Sequence, residues 1–141
     1  MCLSVHSLVE YKVDKRQMDD LIIIQFAKWP VLGNVKTRLA RDIGDEKALQ
    51  VHITLMDQVL DKLVSANSGL IELWLNDIPT EQSIMSSILK KTHRNNILCK
   101  TQFGTNLGDK MANAILQSLN KFKKVIIVGS DCPNISKPIL E

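Results

Sequence analysis

The sequence predicts an α/β fold, a mostly parallel sheet with helices on both faces. Three observations carry this. Leu21-Ile22-Ile23-Ile24 and Val125-Ile126-Ile127-Val128 are short and wholly apolar, as strands buried on both faces are. Between them, strand-like runs alternate with segments of helical period, which implies parallel strands joined by crossover helices. A tight basic loop directly follows the first strand, and open α/β sheets bind ligands beyond the carboxyl ends of their strands.

The elements follow in order. The first strand spans Leu21 to Ala27. A loop with Pro30 and Gly33 runs to Gly44-Asp45, where Asp45 is a candidate cap for the first helix. In that helix Leu49, Ile53, Met56, Leu60 and Leu63 recur at helical spacing, flanked by Ala48, Val51, Leu55 and Val59, an apolar face broad enough to cover a sheet. Ser65 to Gly69 turns the chain into a second strand, Leu70 to Asn76. Pro79-Thr80 opens a shorter helix with Ile84, Met85, Ile88 and Leu89 as its stripe. Asn95-Asn96 leads to a short third strand, Ile97 to Lys100. Asn106 is placed to cap a third helix in which Leu107, Met111, Ile115, Leu119 and Phe122 line one face. The order is β-α-β-α-β-α-β, with right-handed crossovers expected. Residues 1–19 lack a sustained period and read as an N-terminal extension, disordered or frayed, with the domain at residues 20–141.

Composition narrows the function classes. The chain has 141 residues, 45% hydrophobic, with a net charge of +3. No segment carries the dense basic array of a nucleic-acid binder; Lys121, Lys123 and Lys124 read as cations complementing a helix end. No apolar run approaches the ~20 residues that span a bilayer, and no signal peptide is evident, so a cytoplasmic location is expected. Cys2, Cys99 and Cys132 are odd in number and widely spaced, which argues against a disulfide framework and gives no zinc pattern. His6, His52 and His93 show no metal spacing; structural or surface roles are expected for all three.

Three segments can carry chemistry. In the loop after the first strand, Pro30 fixes φ and Gly33 admits a turn closed to other residues. Such a turn can present backbone N–H groups to an anion, with Lys28, Lys36 and Arg38 supplying charge. It is neither a Walker A loop nor a Gly-x-Gly-x-x-Gly fingerprint, and spacing alone leaves a solvated basic loop equally open. At the end of the last apolar strand, Gly129-Ser130-Asp131-Cys132-Pro133 offers a carboxylate that, with phosphates, could hold Mg2+ or Mn2+, or one that caps a turn. In Gln102-Phe103-Gly104-Thr105-Asn106-Leu107-Gly108-Asp109-Lys110-Met111, the glycines Gly104 and Gly108 can let a ligand approach the helix start. Asp109 there also suits the helix dipole.

Together, Phe26-Ala27-Lys28-x-Pro30-x-x-Gly33-x-Val35-Lys36-Thr37-Arg38-Leu39, Gln102-x-Gly104-x-x-Leu107-Gly108-x-x-Met111 and Gly129-Ser130-Asp131-Cys132-Pro133 resemble the bacterial glycosyltransferase-A-like family of uncharacterised transferases. Some of its members are associated with radical-SAM and selenium-related gene neighbourhoods. The resemblance covers roughly Asp20 to the end. It implies a three-layer Rossmann-like nucleotide-diphospho-sugar transferase fold, with Lys36 and Arg38 on the nucleotide phosphates and Asp131 at the metal-binding position. A single Asp stands there rather than an Asp-x-Asp pair. It also implies further sheet and helix past Pro133, so residues 20–141 are expected to be the nucleotide-binding half, with the last part of the fold missing.

The expected function is that of a glycosyltransferase-like protein binding a nucleotide-sugar donor, with activity impaired by truncation. The alternatives are a nucleotidyltransferase using an NTP, or a non-catalytic nucleotide-binding or assembly module. The expected partners are the nucleotide or nucleotide-sugar and a second copy or second chain over the exposed sheet edge. The expected substrate-binding set is Lys28, Gly33, Lys36, Arg38, Gly104 and Gly108, with Asp131 as metal ligand and no catalytic residue assigned.

Overall fold

A computed structural model of the chain describes residues 20–77 and 86–130. Strands β1 (Leu21–Ala27), β2 (Leu70–Leu75), β3 (Leu98–Thr101) and β4 (Lys124–Gly129) form one sheet in the order β3-β2-β1-β4. All three pairings are parallel. The helices are α1 (Thr37–Ile43), α2 (Asp45–Ala66), α3 (Ser86–Arg94) and α4 (Leu107–Leu119). Two separate apolar cores make the three layers. Ile23, Ile71, Leu73 and Cys99 pack on Met56, Leu60 and Leu63 of α2 and Ile88 of α3. Ile22, Ile24, Phe26 and Trp74 face the other way, with Ala114 of α4 and Phe122. The split follows from the strand period of two, which sends alternate residues of an apolar run to opposite faces.

β1 lies inside the sheet, so every residue from Ile22 to Ala27 is buried. Gln25 is the one polar side chain in that run and must find partners there. Its Nε2 donates to the Met56 carbonyl at 3.0 Å and to Ser130 Oγ at 3.1 Å, tying β1 to α2 and to the residue after β4. Glu72 plays a comparable part in β2. It accepts from Trp74 Nε1 at 3.2 Å and pairs with Lys100 Nζ at 2.9 Å. Lys100 also lies 5.4 Å from the Trp74 ring centroid, and that ring stacks on Phe26.

The expected alternation stands, with three departures. The stretch read as a continuous loop contains α1, whose seven residues are too few to show a helical period. α2 is preceded by Gly44 at φ 91°, so glycine rather than Asp45 ends the loop, and no side chain caps that helix. Lys124 opens β4 instead of closing a helix. The expected extension over 1–19 and the helix start at Pro79-Thr80 lie outside the described residues. Among the described residues no helix is long and apolar enough to cross a membrane.

Lys91 of α3 clamps α3 to α2. Its ammonium pairs with Asp57 at 2.5 Å and also with Asp61. Burial works against its charge, but hydrogen bonds and attraction from the two carboxylates outweigh that and raise its pKa above the usual lysine value. A raised folded-state value means the clamp stabilises fully below the unfolded lysine pKa of ~10.4 and is lost as pH climbs through the folded value. Lys91→Met is expected to lower the urea-unfolding free energy by about 1 kcal/mol near pH 8, since both carboxylates remain partly solvated. Repeating the titration at rising pH should show the gap between the two proteins closing above pH ~10.4.

Candidate functional site

In a parallel sheet all carboxyl ends lie on one edge, and the carbonyls there run out of ladder partners. In this chain one buried side-chain amide and one buried hydroxyl take up that role. Gln102, just after β3, donates from Nε2 to Ala27 O at 3.1 Å and to Trp74 O at 2.8 Å, while its backbone N–H reaches Leu75 O at 2.7 Å. Ser130 Oγ donates to Phe26 O at 3.0 Å. These contacts fix the ends of β1 and β2 to the residues that follow β3 and β4.

The loop after β1 is built on the same edge. Asn76 Oδ1 accepts from Trp29 N at 2.6 Å, and the His52 ring bonds the Lys28 carbonyl at 2.9 Å. Trp29 and Val35 are buried and pin the two ends of the loop. Between them a turn closes from Asn34 N to Val31 O at 3.0 Å. Gly33 occupies its third position at φ 85°, a conformation glycine adopts freely. Lys36 follows in the left-handed region, at φ 48°, immediately before α1.

Above the edge opens a cleft of about 930 Å3. Lys28, Lys36 and Arg38 line it, as does Gly129 at the end of β4. Lys110 of α4 adds a fourth cation, and no Asp or Glu is among the described lining residues. Lys28, Arg38 and Lys110 have no ion-pair partner among the described residues. Several cations lining one cleft, three of them without an ion-pair partner among the described residues, suit a ligand with more than one negative group.

The expected site residues divide. Lys28, Lys36 and Arg38 come together in the cleft, whereas Gly33, Gly104 and Gly108 do not line it. Gly104 sits at φ 143°, and a Cβ there would stand 2.8 Å from Lys110 N and 2.9 Å from Asp109 Cβ. The missing side chain makes room for the chain's own helix start. Gly108 packs beside Asn106 Oδ1, which caps α4 as expected by accepting from Asp109 N at 2.9 Å. Asp131 lies outside the described residues; its neighbour Ser130 lines the cleft. Sequence reasoning missed Gln25, Asn76 and Ser130 as braces and gave His52 only a generic structural role. The signal for Gln25 was present, a lone amide inside an apolar strand.

Fold and site define an α/β protein with a polyanion-suited cleft at the carboxyl edge of a parallel sheet. The family profile described as "Uncharacterized protein conserved in bacteria (DUF2064)" matches residues 59–141, and the chain belongs to that family. A crystal structure of a proposed nucleotide-diphospho-sugar transferase from Desulfovibrio desulfuricans G20 matches with a TM-score of 0.71 at 21% identity, over 87% of this chain and 52% of that one. This likeness shows the fold. The chain spans about half the length of the structure it matches. No curated protein matches the chain.

Gly104→Ala is expected to destabilise the protein by about 1–3 kcal/mol, the cost of forcing a side chain into that backbone conformation. Gly108→Ala should change stability by no more than about 1 kcal/mol, because the gain in helix propensity opposes a tight 3.2 Å contact. Urea midpoints of the two variants check this.

Proposed function

We propose that this chain is the donor-binding part of a transferase acting on a nucleotide-sugar, with the nucleoside-diphosphate group held in the cleft at the carboxyl edge. The observation that carries the reading is the gathering of Lys28, Lys36 and Arg38 in one cleft on that edge, with no carboxylate among its described lining residues. A diphosphate carries closely spaced negative charge, which a lysine meets as a point charge and an arginine as a planar fork. The family membership and the fold shared with a proposed nucleotide-diphospho-sugar transferase support the same reading.

In sugar transfer the bond to the diphosphate breaks as negative charge builds on the leaving oxygen, and fixed cations stabilise that charge. Lys36 and Arg38 are assigned this task. The described part of the cleft provides no metal ligand set, and the described residues hold no cluster of three or more His, Cys, Asp or Glu. Mg2+ or Mn2+ would therefore depend on Asp131 together with phosphate oxygens and water, a ligand set such hard ions accept. The reading leaves the side of β4 away from β1, which has no strand partner among the described residues, to a second copy or a second chain, which sedimentation of the full chain would reveal as mass above the monomer.

Titration with UDP, GDP and their sugar conjugates, read by tryptophan fluorescence from Trp29 beside the loop, tests the proposal. Binding is expected, weakened about 10- to 100-fold by Lys36→Ala with Arg38→Ala, in line with the loss of two partly solvated contacts worth about 1 kcal/mol each. No binding of any of these ligands at millimolar concentration would refute it. Pyrophosphate release from an NTP would instead make the chain a nucleotidyltransferase.

A further inference from the structure

The stripe of α4 that faces the sheet differs from the one the sequence suggested. Ala114 and Ser118 are the residues buried against the strands. Leu119 and Leu116 are 48% and 65% exposed. At 100° per residue, Leu107, Met111, Ala114 and Ser118 form one continuous stripe, and Leu116 and Leu119 fall well outside it. Yet only the second half of the stripe meets the sheet. Leu107 and Met111 are 64% and 36% exposed, and both line the cleft. The first turns of α4 thus overhang the carboxyl edge and turn a sheet-type apolar surface towards the ligand space.

Lys110 projects from the same overhang into the same cleft and is half-buried. Lys28, Lys36 and Arg38, which follow β1 in the chain, line that cleft too. Water-exposed leucine and methionine in the same cleft as several cations fit a ligand that is charged at one end and flat and apolar at the other.

We infer that the start of α4 is the second wall of the ligand site, with Leu107 and Met111 seating the base of a nucleotide and Lys110 holding its phosphates against Lys36 and Arg38. The inference rests on the nucleotide reading above and adds residues to it. Leu107, Met111 and Lys110 act through their side chains, while Gly104 and Gly108 serve the packing of the helix start.

Two probes separate the two functions of the wall. Inorganic pyrophosphate has the charge of the ligand without its base; UDP and GDP have both. Calorimetric titration of the full chain with each probe is expected to show Leu107→Ser weakening UDP or GDP at least threefold and leaving pyrophosphate unchanged. Lys110→Gln should weaken pyrophosphate and nucleoside diphosphates alike, by threefold or more. Both positions are solvent-accessible, and far-UV circular dichroism confirms that each variant is folded. The inference is overturned if Leu107→Ser leaves every probe unchanged or weakens pyrophosphate as much as UDP and GDP, or if Lys110→Gln leaves pyrophosphate untouched. In each of those cases the unaltered chain still binds nucleotide, so the proposed function survives. Failure of the unaltered chain to bind any probe refutes both.

Discussion

The site depends on how the strand ends are tied. A parallel sheet delivers its terminal carbonyls to one edge, where the ladder stops and each oxygen needs a donor. Gln102 supplies donors to β1 and β2 at once, through Ala27 O, Trp74 O and Leu75 O. Ser130 does the same for Phe26, and Gln25 ties Ser130 back to β1 and α2. Buried amides of this kind strengthen one another in a low-dielectric interior and are costly to break singly. The basic loop hangs from this frame through Asn76 and His52. Its cations therefore stand on a backbone held in place.

Charge is sorted by layer. The buried carboxylate Glu72 is matched by Lys100 and Trp74 within the sheet, and Asp57 and Asp61 are matched by Lys91 between helices. Each of these pairs is used up in holding the fold. In the cleft the balance differs, for Lys28, Arg38 and Lys110 have no ion-pair partner among the described residues. Positive charge without ion-pair partners among the described residues at the carboxyl edge, beside neutralised charge elsewhere, is the feature on which the proposed site rests.

Much of this was legible in the sequence. β1 was readable to its last residue because a strand buried on both faces has a continuous apolar signature. The cations of the first loop were readable because they follow that strand directly. What stayed hidden has physical causes. α1 is too short to show a period. The stripe of α4 that meets the sheet is set by how the helix crosses the strands, and it selects small Ala114 and Ser118 over the larger Ile115 and Leu119. Gly104 announces that a side chain is forbidden; sequence alone does not say whether a ligand or the protein's own backbone takes the space. The braces Asn76 and Gln102 act across more than 25 residues of separation, beyond the reach of any local pattern.

The central claim is that ligand binding belongs to the carboxyl edge of the sheet. Amide chemical-shift mapping of the 15N-labelled chain during titration with UDP and GDP tests it most directly. The account predicts perturbations grouped at the loop after β1, at Gln102, at the first turns of α4 and at the end of β4. Perturbations centred on the opposite edge, around Asn67, Gly69, Asn95 and Asn96, would contradict it.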